Sequence, residues 1–494
     1  MPKIRHNDPQ LIQEKALSIN LDSNKYGALV EIGAGQEVAR QFFSAGGAAG
    51  TIAKTMSAYD MEVSDAVYGK ASRYVSRERL EQMLHKEYDL LKSRLGESRP
   101  KENQFFSYAA TVTARSYLQK NECHGWVGIL VQLFPNSEPS EIILHVRMLE
   151  ETNAAQCEAL GVLGVNLVHG AYNKFTTPKE LIDSLQDGLK TGRLEIDMIN
   201  FSGPCFEHID NRLINLHLIR SWSCRAVMFS PDRTSLVPGS ILRKDNTLVI
   251  RGSFKPPTKV TVDMIEGAKL QFIQEEGVDP DSVHVVTELT LYESPNGDIS
   301  KDEDFLARVD LMNSLGYTVL VSDYFRFFRL RSFLRRYNKD ALAVALSVLD
   351  FDALFDEKYY SGLEGGILEA MGKLFSDNTY IYIYPSMIDN KLTTLENVSV
   401  SDEQKYLLKH LISNGKMSAI STYNEENLHI SSNQVFKKID SKDKSWKKEV
   451  PKDIKDLIIY QQERTQETPH ASKLRQNSSR LPSSHSPEPP SLTL

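Results

Sequence analysis

The sequence predicts a mixed α/β and α+β fold, with a helical N-terminal segment, a central α+β domain, a C-terminal parallel-sheet α/β domain and a disordered tail. Three observations support this prediction. An amphipathic helical pattern follows a glycine-rich stretch near the N-terminus, strand and helix patterns alternate after residue 258, and serine and proline dominate the last residues. We place the domains at residues 1–103, 104–258, 259–436 and 437–494.

The first segment is predicted to be mainly helical between residues 26 and 96. Leucine and tyrosine side chains recur at the spacing of one helix face from Leu80 to Leu91, and Ser76 stands where an N-cap belongs. A polar linker over residues 96–103 then separates this segment from the central domain.

The central segment mixes strand and helix patterns. Strands are predicted over residues 126–133 and 141–149, on either side of a proline-containing turn, and a helix is predicted over residues 153–168. Further strands are predicted at residues 194–201, 212–219, 226–229 and 247–251. This mixture is typical of an α+β domain with an antiparallel or mixed sheet.

The third segment alternates regularly between apolar strands and helices. Its strands are predicted at residues 284–291, 317–321, 341–348 and 380–384, with helices between them. Such alternation indicates a parallel sheet covered by helices. The tail begins lysine-rich at residues 437–455, and residues 461–494 contain too few apolar side chains to offset their chain entropy.

Composition narrows the function classes. The formal net charge of −7 argues against general nucleic-acid binding, which needs a basic face. We expect no membrane partner, because no run of about 18 apolar residues occurs and the N-terminus lacks a signal-peptide pattern. Four scattered cysteines without C-x-x-C spacing predict reduced thiols, with neither a disulfide framework nor a zinc site, and hence a cytoplasmic protein. No cofactor is identified by any motif.

The glycine-rich stretch from Gly33 to Lys54 is the best candidate for a phosphate or nucleotide contact. Glycine permits positive φ and close backbone approach, and helix N-termini attract anions. The stretch departs from the phosphate loop G-x-x-x-x-G-K-S/T, so close packing of helices around the glycines is the alternative interpretation. The candidate ligand-binding residues are Gly33, Gly35, Gly46, Gly47, Gly50, Thr51, Lys54, Arg147 and Asn153.

Three carboxylates are the catalytic candidates. Asp60 follows the glycines and is a base, a ligand of a divalent cation or a helix cap. Glu288 and Asp323 lie within or just after predicted parallel strands, whose carboxyl ends hold ligands in α/β folds. Asp323 is equally well placed to cap the helix that follows it.

Several segments of the chain are similar to a family of uncharacterised bacterial cytosolic proteins of similar length. The resemblance covers roughly residues 20–395 and is most specific in the Gly-Gly-Ala-Ala-Gly-Thr-Ile-Ala-Lys block that begins at Gly46. The similar segments are Val30–Arg40, Gly46–Met61, Ser64–Gly69, His145–Asn153, Ile196–Gly203 and Leu363–Phe375. The resemblance implies no established activity, and members carry automatic labels such as nicotinate-nucleotide adenylyltransferase or TonB-dependent receptor.

Neither label agrees with the residues. A receptor barrel needs many tilted strands with an apolar outer face, and the adenylyltransferase pattern H/T-x-G-H has no full match here. Two hypotheses remain. The chain is a cytosolic enzyme that binds a nucleotide or another phosphorylated small molecule, or it is a non-catalytic scaffold or regulatory protein. Convergence of polar groups from both halves in one pocket would favour the enzyme.

Overall fold

The computed structural model describes residues 9–117, 122–243, 246–291 and 302–460. The strands are β1 (Lys25–Gly33), β2 (Ile52–Met56), β3 (Gln104–Val112), β4 (His124–Val131), β5 (Ser140–Met148), β6 (Leu194–Ser202), β7 (Ala226–Phe229), β8 (Ser235–Leu236), β9 (Asn246–Arg251), β10 (Val283–Thr290), β11 (Thr318–Ser322), β12 (Leu342–Ser347), β13 (Thr379–Tyr384), β14 (Ser386–Ile388), β15 (Lys391–Thr393) and β16 (Met417–Ala419). The helices are α1 (Pro9–Asn20), α2 (Val38–Ala45), α3 (Met61–Tyr68), α4 (Arg77–Leu95), α5 (Asn153–Asn173), α6 (Pro178–Leu185), α7 (Asn211–Arg220), α8 (Pro238–Ile241), α9 (Lys259–Phe272), α10 (Asp302–Ser314), α11 (Phe327–Leu334), α12 (Asp352–Phe355), α13 (Gly366–Leu374), α14 (Lys405–Ser413) and α15 (Ser432–Asp440).

The first sheet has six strands in the order β2-β1-β3-β4-β5-β6. Its first three strands are parallel, and β3 to β6 are antiparallel. Successive side chains alternate between the two faces. One face packs on α4 through residues such as Val30 and Leu80, and the other packs on α2 and α5 through residues such as Tyr108 and Leu163.

The second sheet has eight strands in the order β16-β13-β12-β9-β10-β11-β7-β8. The strands from β16 to β11 are parallel, whereas β7 and β8 extend the sheet in antiparallel fashion. Numbered along the chain, the parallel strands lie in the order 3-2-1-4-5-6, which is that of a Rossmann-type doubly wound sheet. The predicted mixed α/β fold with a C-terminal parallel sheet is therefore confirmed.

Two local predictions were wrong. Residues 25–33 form strand β1 and not helix, because the apolar run Tyr26–Val30 is buried between β2 and β3. Residues 211–220 form helix α7 and not a strand, with Asp210 as its N-cap. Short apolar runs do not distinguish a strand from a buried helix by periodicity alone, so the tertiary environment decided both.

The sheets combine strands from more than one of the predicted domains. The first sheet takes strands from both sides of residue 103, and the second takes strands from both sides of residue 258. The positions of the domain boundaries stay a prediction. Within the described ranges, every helix is too short or too polar to span a bilayer.

The lysine-rich segment is folded at least to residue 460. Residues 444–448 form a 3-10 turn and residues 452–460 are helical. Trp446, Val450 and Ile454 are buried in a cluster with Leu311 of α10. The predicted disorder of residues 461–494 concerns residues outside the described part of the chain.

Candidate functional site

The first glycines of the predicted ligand segment lie where the chain packs closely. Gly33 ends β1 with φ of +77°, and a Cβ atom there would lie 1.9 Å from the backbone oxygen of Val112. A Cβ atom on Gly35 would lie 3.2 Å from the side chain of Ala110. Close packing is therefore sufficient to explain why both positions are glycine.

The free amide groups at the start of α2 are satisfied within the chain. The Val38 and Ala39 amides donate to the two carboxylate oxygens of Glu31, at 2.9 and 3.1 Å. Glu31 is buried, and burial raises the pKa of its carboxyl while these hydrogen bonds oppose the rise. A helix start that normally attracts anions thus already holds a carboxylate of the protein itself.

The second group of glycines follows α2. Gly46 and Gly47 have φ of +82° and +73°, and Asn20 Nδ2 donates to the Gly46 carbonyl at 2.7 Å. Thr51 is fully buried, and its hydroxyl donates to the Asn20 carbonyl at 3.0 Å. Gly50 differs from both glycines because its φ is not positive, and a Cβ atom added there, as at Gly46, would meet no atom within 4 Å.

The remaining candidates near the first sheet also have partners in the chain. Lys54 Nζ lies 2.5 Å from Glu87 Oε2 beside a cavity of about 180 Å³. Asp60 caps α3 by accepting from the Val63 amide at 3.1 Å. Asn153 exchanges hydrogen bonds with the backbone of Arg115 at 2.8 and 3.1 Å. Whether any of these residues also binds a ligand stays a prediction.

Glu288 and Asp323 lie at the carboxyl ends of neighbouring parallel strands. Glu288 is fully buried and accepts from Arg251 at 2.6 and 3.1 Å and from the Ser322 hydroxyl at 2.6 Å. Arg251 also donates to the carbonyl groups of Tyr324 and Phe325. The Glu288 carboxylate is thus held by hydrogen bonds from neighbouring strands. Its partner Arg251 ends β9, the strand at which the order of the parallel strands reverses.

Asp323 forms an ion pair with Arg225 at 2.9 Å and does not cap the next helix, whose N-cap is Arg326. Burial raises the pKa of Asp323 to about 6, although Arg225 and Arg329 oppose the rise. Catalytic roles for Glu288 and Asp323 stay predictions.

A cavity of about 480 Å³ lies between the first sheet and residues 235–243, which comprise the edge strand β8 and helix α8. This volume is within the usual range for a small-molecule site. Arg147, which the sequence predicted as a ligand contact, lines it. The other lining residues are Arg73, Val75, Ser76, Arg77, Glu122, His124, Trp126, His145, Met198, Ser235, Leu236, Val237, Gly239, Ser240, Arg243 and Tyr337.

Two histidines and an aspartate form a hydrogen-bonded chain in the wall of this cavity. His124 Nδ1 lies 3.1 Å from His145 Nε2, and His145 Nδ1 lies 2.6 Å from Asp197 Oδ1. The pairing of β5 with β6 shifts register at this point, so that His145 faces Met198 and Val146 faces Ile196. Asp197 is the extra residue of this bulge, a feature that commonly re-aims side chains near active sites.

The histidine chain has a defined direction. With an ionised Asp197 accepting from His145 Nδ1–H, His145 Nε2 accepts from His124 Nδ1–H, and His124 Nε2 is left as an acceptor. These tautomers are assigned from the hydrogen-bond network. Burial, reinforced by His145, lowers the pKa of His124 to about 4, so His124 is neutral at pH 7.

The cavity carries an excess of positive charge. Arg147 binds Glu122 at 2.8 Å, also contacts Glu195, and lies 5.5 Å from the ring centre of Tyr337. Arg243 lies 3.3 Å from the same Glu122. Arg77 pairs with Glu81, whereas Arg73 forms no ion pair with any residue in the described ranges. Four arginines thus line a cavity to which Glu122 contributes an acidic group.

The candidate residues predicted from the sequence did not include His124, His145, Asp197 or Tyr337. The two histidines lay in or beside predicted neighbouring strands, and antiparallel pairing places His124 opposite Arg147 and Trp126 opposite His145. That pairing was the available signal. Among the described residues, no group of three or more His, Cys, Asp or Glu is placed to hold a metal ion.

No family model and no curated protein matches the chain. Among solved structures, the competence/damage inducible protein CihA from Agrobacterium tumefaciens is 18% identical, with 35% of this chain and 100% of that chain covered and a TM-score of 0.24. A competence or damage-inducible protein from Enterobacter asburiae is 12% identical, with 34% and 100% covered and a TM-score of 0.23. A CinA superfamily protein from Klebsiella pneumoniae is 13% identical, with 33% and 95% covered and a TM-score of 0.23. Likenesses at these scores carry no argument about function.

Proposed function

We propose that the chain is an enzyme that binds a small phosphorylated molecule in the cavity between the two sheets and uses His124 as a general base. The observation that carries this proposal is the Asp197–His145–His124 chain, whose last acceptor is in the wall of an arginine-lined cavity. A histidine oriented by a second group that is itself held by a carboxylate is the arrangement expected of a positioned base.

His124 is a weak base in the empty cavity, because its pKa is about 4. An anion bound beside it favours the imidazolium and therefore raises this pKa towards the working pH. The proton that His124 Nε2 accepts leaves a positive charge that His145 and Asp197 stabilise through the hydrogen-bond chain. Ligand binding and base strength are thus coupled.

The arginines supply the expected ligand contacts. Guanidinium groups bind phosphate oxygens through paired N–H donors. Arg73 precedes α4, which packs on the first sheet, and Arg243 follows α8 near the second sheet, and Trp126 and Tyr337 add aromatic surface to the same cavity. The site therefore needs both halves of the molecule. The resemblance to uncharacterised bacterial cytosolic proteins and the expected cytoplasmic location are compatible with this proposal.

Equilibrium binding tests the ligand class. We expect wild-type protein to bind at least one of a panel of nucleotides, sugar phosphates and inorganic phosphate in calorimetry. The double substitution Arg73→Ala, Arg243→Ala should weaken that affinity by about tenfold or more, because two charge-assisted contacts are lost. Arg40→Ala is the matched control, since Arg40 is an exposed arginine on α2 whose partner is the nearby Glu37.

Turnover tests the base. With a ligand that is converted, His124→Asn should lower turnover by about a hundredfold while ligand affinity stays close to that of wild type. Failure of the wild type to bind any phosphorylated compound would contradict the proposal and favour the non-catalytic scaffold. Unchanged turnover in His124→Asn would exclude His124 as the base.

A further inference from the structure

A second concave surface lies beneath the C-terminal segment, far along the chain from the histidine site. Helix α15 and residues 444–460 pack beside α10 and leave a groove of about 640 Å³, which we call the lysine-rimmed groove. Its floor is apolar and is formed by Leu311, Phe436, Ile439 and Ile458. Phe436 is 42% exposed, so this aromatic ring is open to a partner.

The rim of the groove is basic. Lys442, Lys444 and Lys447 line it and form no ion pair with any residue that the structure describes. Lys255 lies on the same rim, with its Nζ 4.9 Å from the ring centre of Phe436. Two carboxylates also line the groove: Asp304 pairs with Arg308 and lies 3.7 Å from Lys255, and Asp440 is exposed. The five basic side chains of the lining still outnumber them.

This charge is unusual for the molecule. Residues 437–455 contain eight lysines against four aspartate or glutamate residues, in a chain whose formal net charge is −7. Lysine side chains without carboxylate partners, placed around an exposed aromatic ring, match an acidic partner that carries apolar side chains.

We propose that the lysine-rimmed groove binds an acidic peptide segment of another protein, with one or two apolar side chains of that segment on Phe436 and Ile439. A concave site of this size holds a few side chains, as in helix-in-groove recognition, whereas a bilayer surface needs a convex or flat face. The chain's own residues 461–494 are a poor match, because they carry four lysine or arginine residues against three glutamates. A net basic segment is not attracted to a basic rim.

Fluorescence anisotropy with the full-length protein tests this proposal. The probe is a labelled twelve-residue synthetic peptide of glutamates with a leucine and a phenylalanine four positions apart. We expect saturable binding that weakens as salt increases, because exposed charge pairs are screened. The triple substitution Lys442→Glu, Lys444→Glu, Lys447→Glu should weaken binding by about tenfold or more.

Matched controls separate the groove from general charge effects. Lys86→Glu, Lys101→Glu and Lys391→Glu make the same charge change on exposed lysines outside the groove, and this variant should bind as wild type does. Phe436→Ser should weaken binding without unfolding the protein, because Phe436 is partly exposed. A peptide in which serine replaces the leucine and phenylalanine should bind less tightly than the probe.

Four results would overturn the proposal. The first is no binding of the acidic peptide, and the second is equal loss in both lysine variants. The third is a strong gain in peptide affinity when residues 461–494 are deleted, which would identify the tail as the occupant. Binding to phosphatidylserine vesicles without binding to the peptide would identify a membrane contact and would also contradict it.

Discussion

The glycine-rich stretch and the cavity between the sheets differ in how their polar groups are satisfied. In the glycine-rich stretch, helix-start amides bind Glu31, Lys54 binds Glu87 and Thr51 binds Asn20. In the cavity, by contrast, Arg73 lacks an ion-pair partner among the described residues and His124 Nε2 has no described hydrogen bond. A sequence pattern typical of ligand contact is therefore equally produced by a backbone that must pack closely.

The largest expected effect concerns Gly33. Gly33→Val would place a Cβ atom against the Val112 carbonyl and would force a β-branched residue to a φ of +77°. We expect a loss of about 4 kcal/mol or more in the free energy of unfolding, or failure to fold.

Gly50→Ala is the matched control, because Gly50 has open space and no positive φ. It should change stability by less than about 1 kcal/mol. Chemical denaturation of both variants measures the difference. A stable Gly33→Val protein that has lost ligand affinity would instead support a ligand role for the stretch.

The second effect concerns the closed network at the edge of the second sheet. Glu288→Ala leaves the buried Arg251 guanidinium without its carboxylate, which should cost about 3–5 kcal/mol of unfolding free energy. Glu288→Gln retains one acceptor oxygen and should cost less. Equal unfolding midpoints for wild type and Glu288→Ala would show that the carboxylate is not structural and would strengthen its candidacy as a catalytic group.

The third effect tests whether Lys54, at the end of the glycine-rich stretch, stabilises the fold or binds a ligand. Lys54→Ala removes the ion-pair partner of Glu87, whose side chain is 1% exposed and keeps its hydrogen bond from the Tyr68 hydroxyl. The change should lower the free energy of unfolding by about 1–3 kcal/mol. Ligand affinity of the folded variant should equal that of wild type. Calorimetry with any phosphorylated ligand of the wild type measures this affinity. A variant with normal stability and lost affinity would show that Lys54 contacts the ligand.

The smallest effect is a pH dependence in the cavity. Because the folded pKa of His124 is about 4 and the ordinary value is 6.5, the unfolded chain binds more protons between these values. Above pH 6.5 this histidine therefore does not lower the free energy of unfolding. As the pH falls from 6.5 towards 4, the free energy of unfolding decreases by about 1–3 kcal/mol. Asp323, whose pKa is raised to about 6, has the opposite effect. Its folded form binds more protons than the unfolded form below pH 6, so the free energy of unfolding increases there as the pH falls.

Comparison of wild type with His124→Gln isolates the histidine, since Asp323 is common to both proteins. The variant should lose less unfolding free energy between pH 6.5 and pH 4. Identical pH profiles would show that His124 is not held in its neutral form by the fold.

Local signals in the sequence were sufficient for much of the fold. The spacing from Leu80 to Leu91 and the cap at Ser76 predicted α4, and the Ser76 hydroxyl does accept from the Arg79 amide at 3.1 Å. The apolar strands after residue 258 predicted the parallel sheet in the same way. These features depend on residues a few positions apart, which determine a helix face or a strand by themselves.

Other features depended on residues distant in sequence. The run from Tyr26 to Val30 became a strand because β2 and β3 pair on both sides of it. Arg147 was identified from sequence as a candidate, but its contacts with Glu122, Glu195 and Tyr337 come from three different parts of the chain. Pairing and burial of this kind are set by the whole sheet and not by local propensity.

The histidine site shows most clearly which features the local sequence predicts and which depend on the tertiary structure. The sequence alone determined that His124 and His145 lie in or beside strands of one domain. Only the tertiary structure decided that antiparallel pairing brings their rings together, that a bulge places Asp197 next to His145, and that Tyr337, in the turn after α11, lines the same cavity. The physical reason is that hydrogen-bonded register fixes which distant side chains become neighbours, and a shift of one residue would turn each of them to the opposite face.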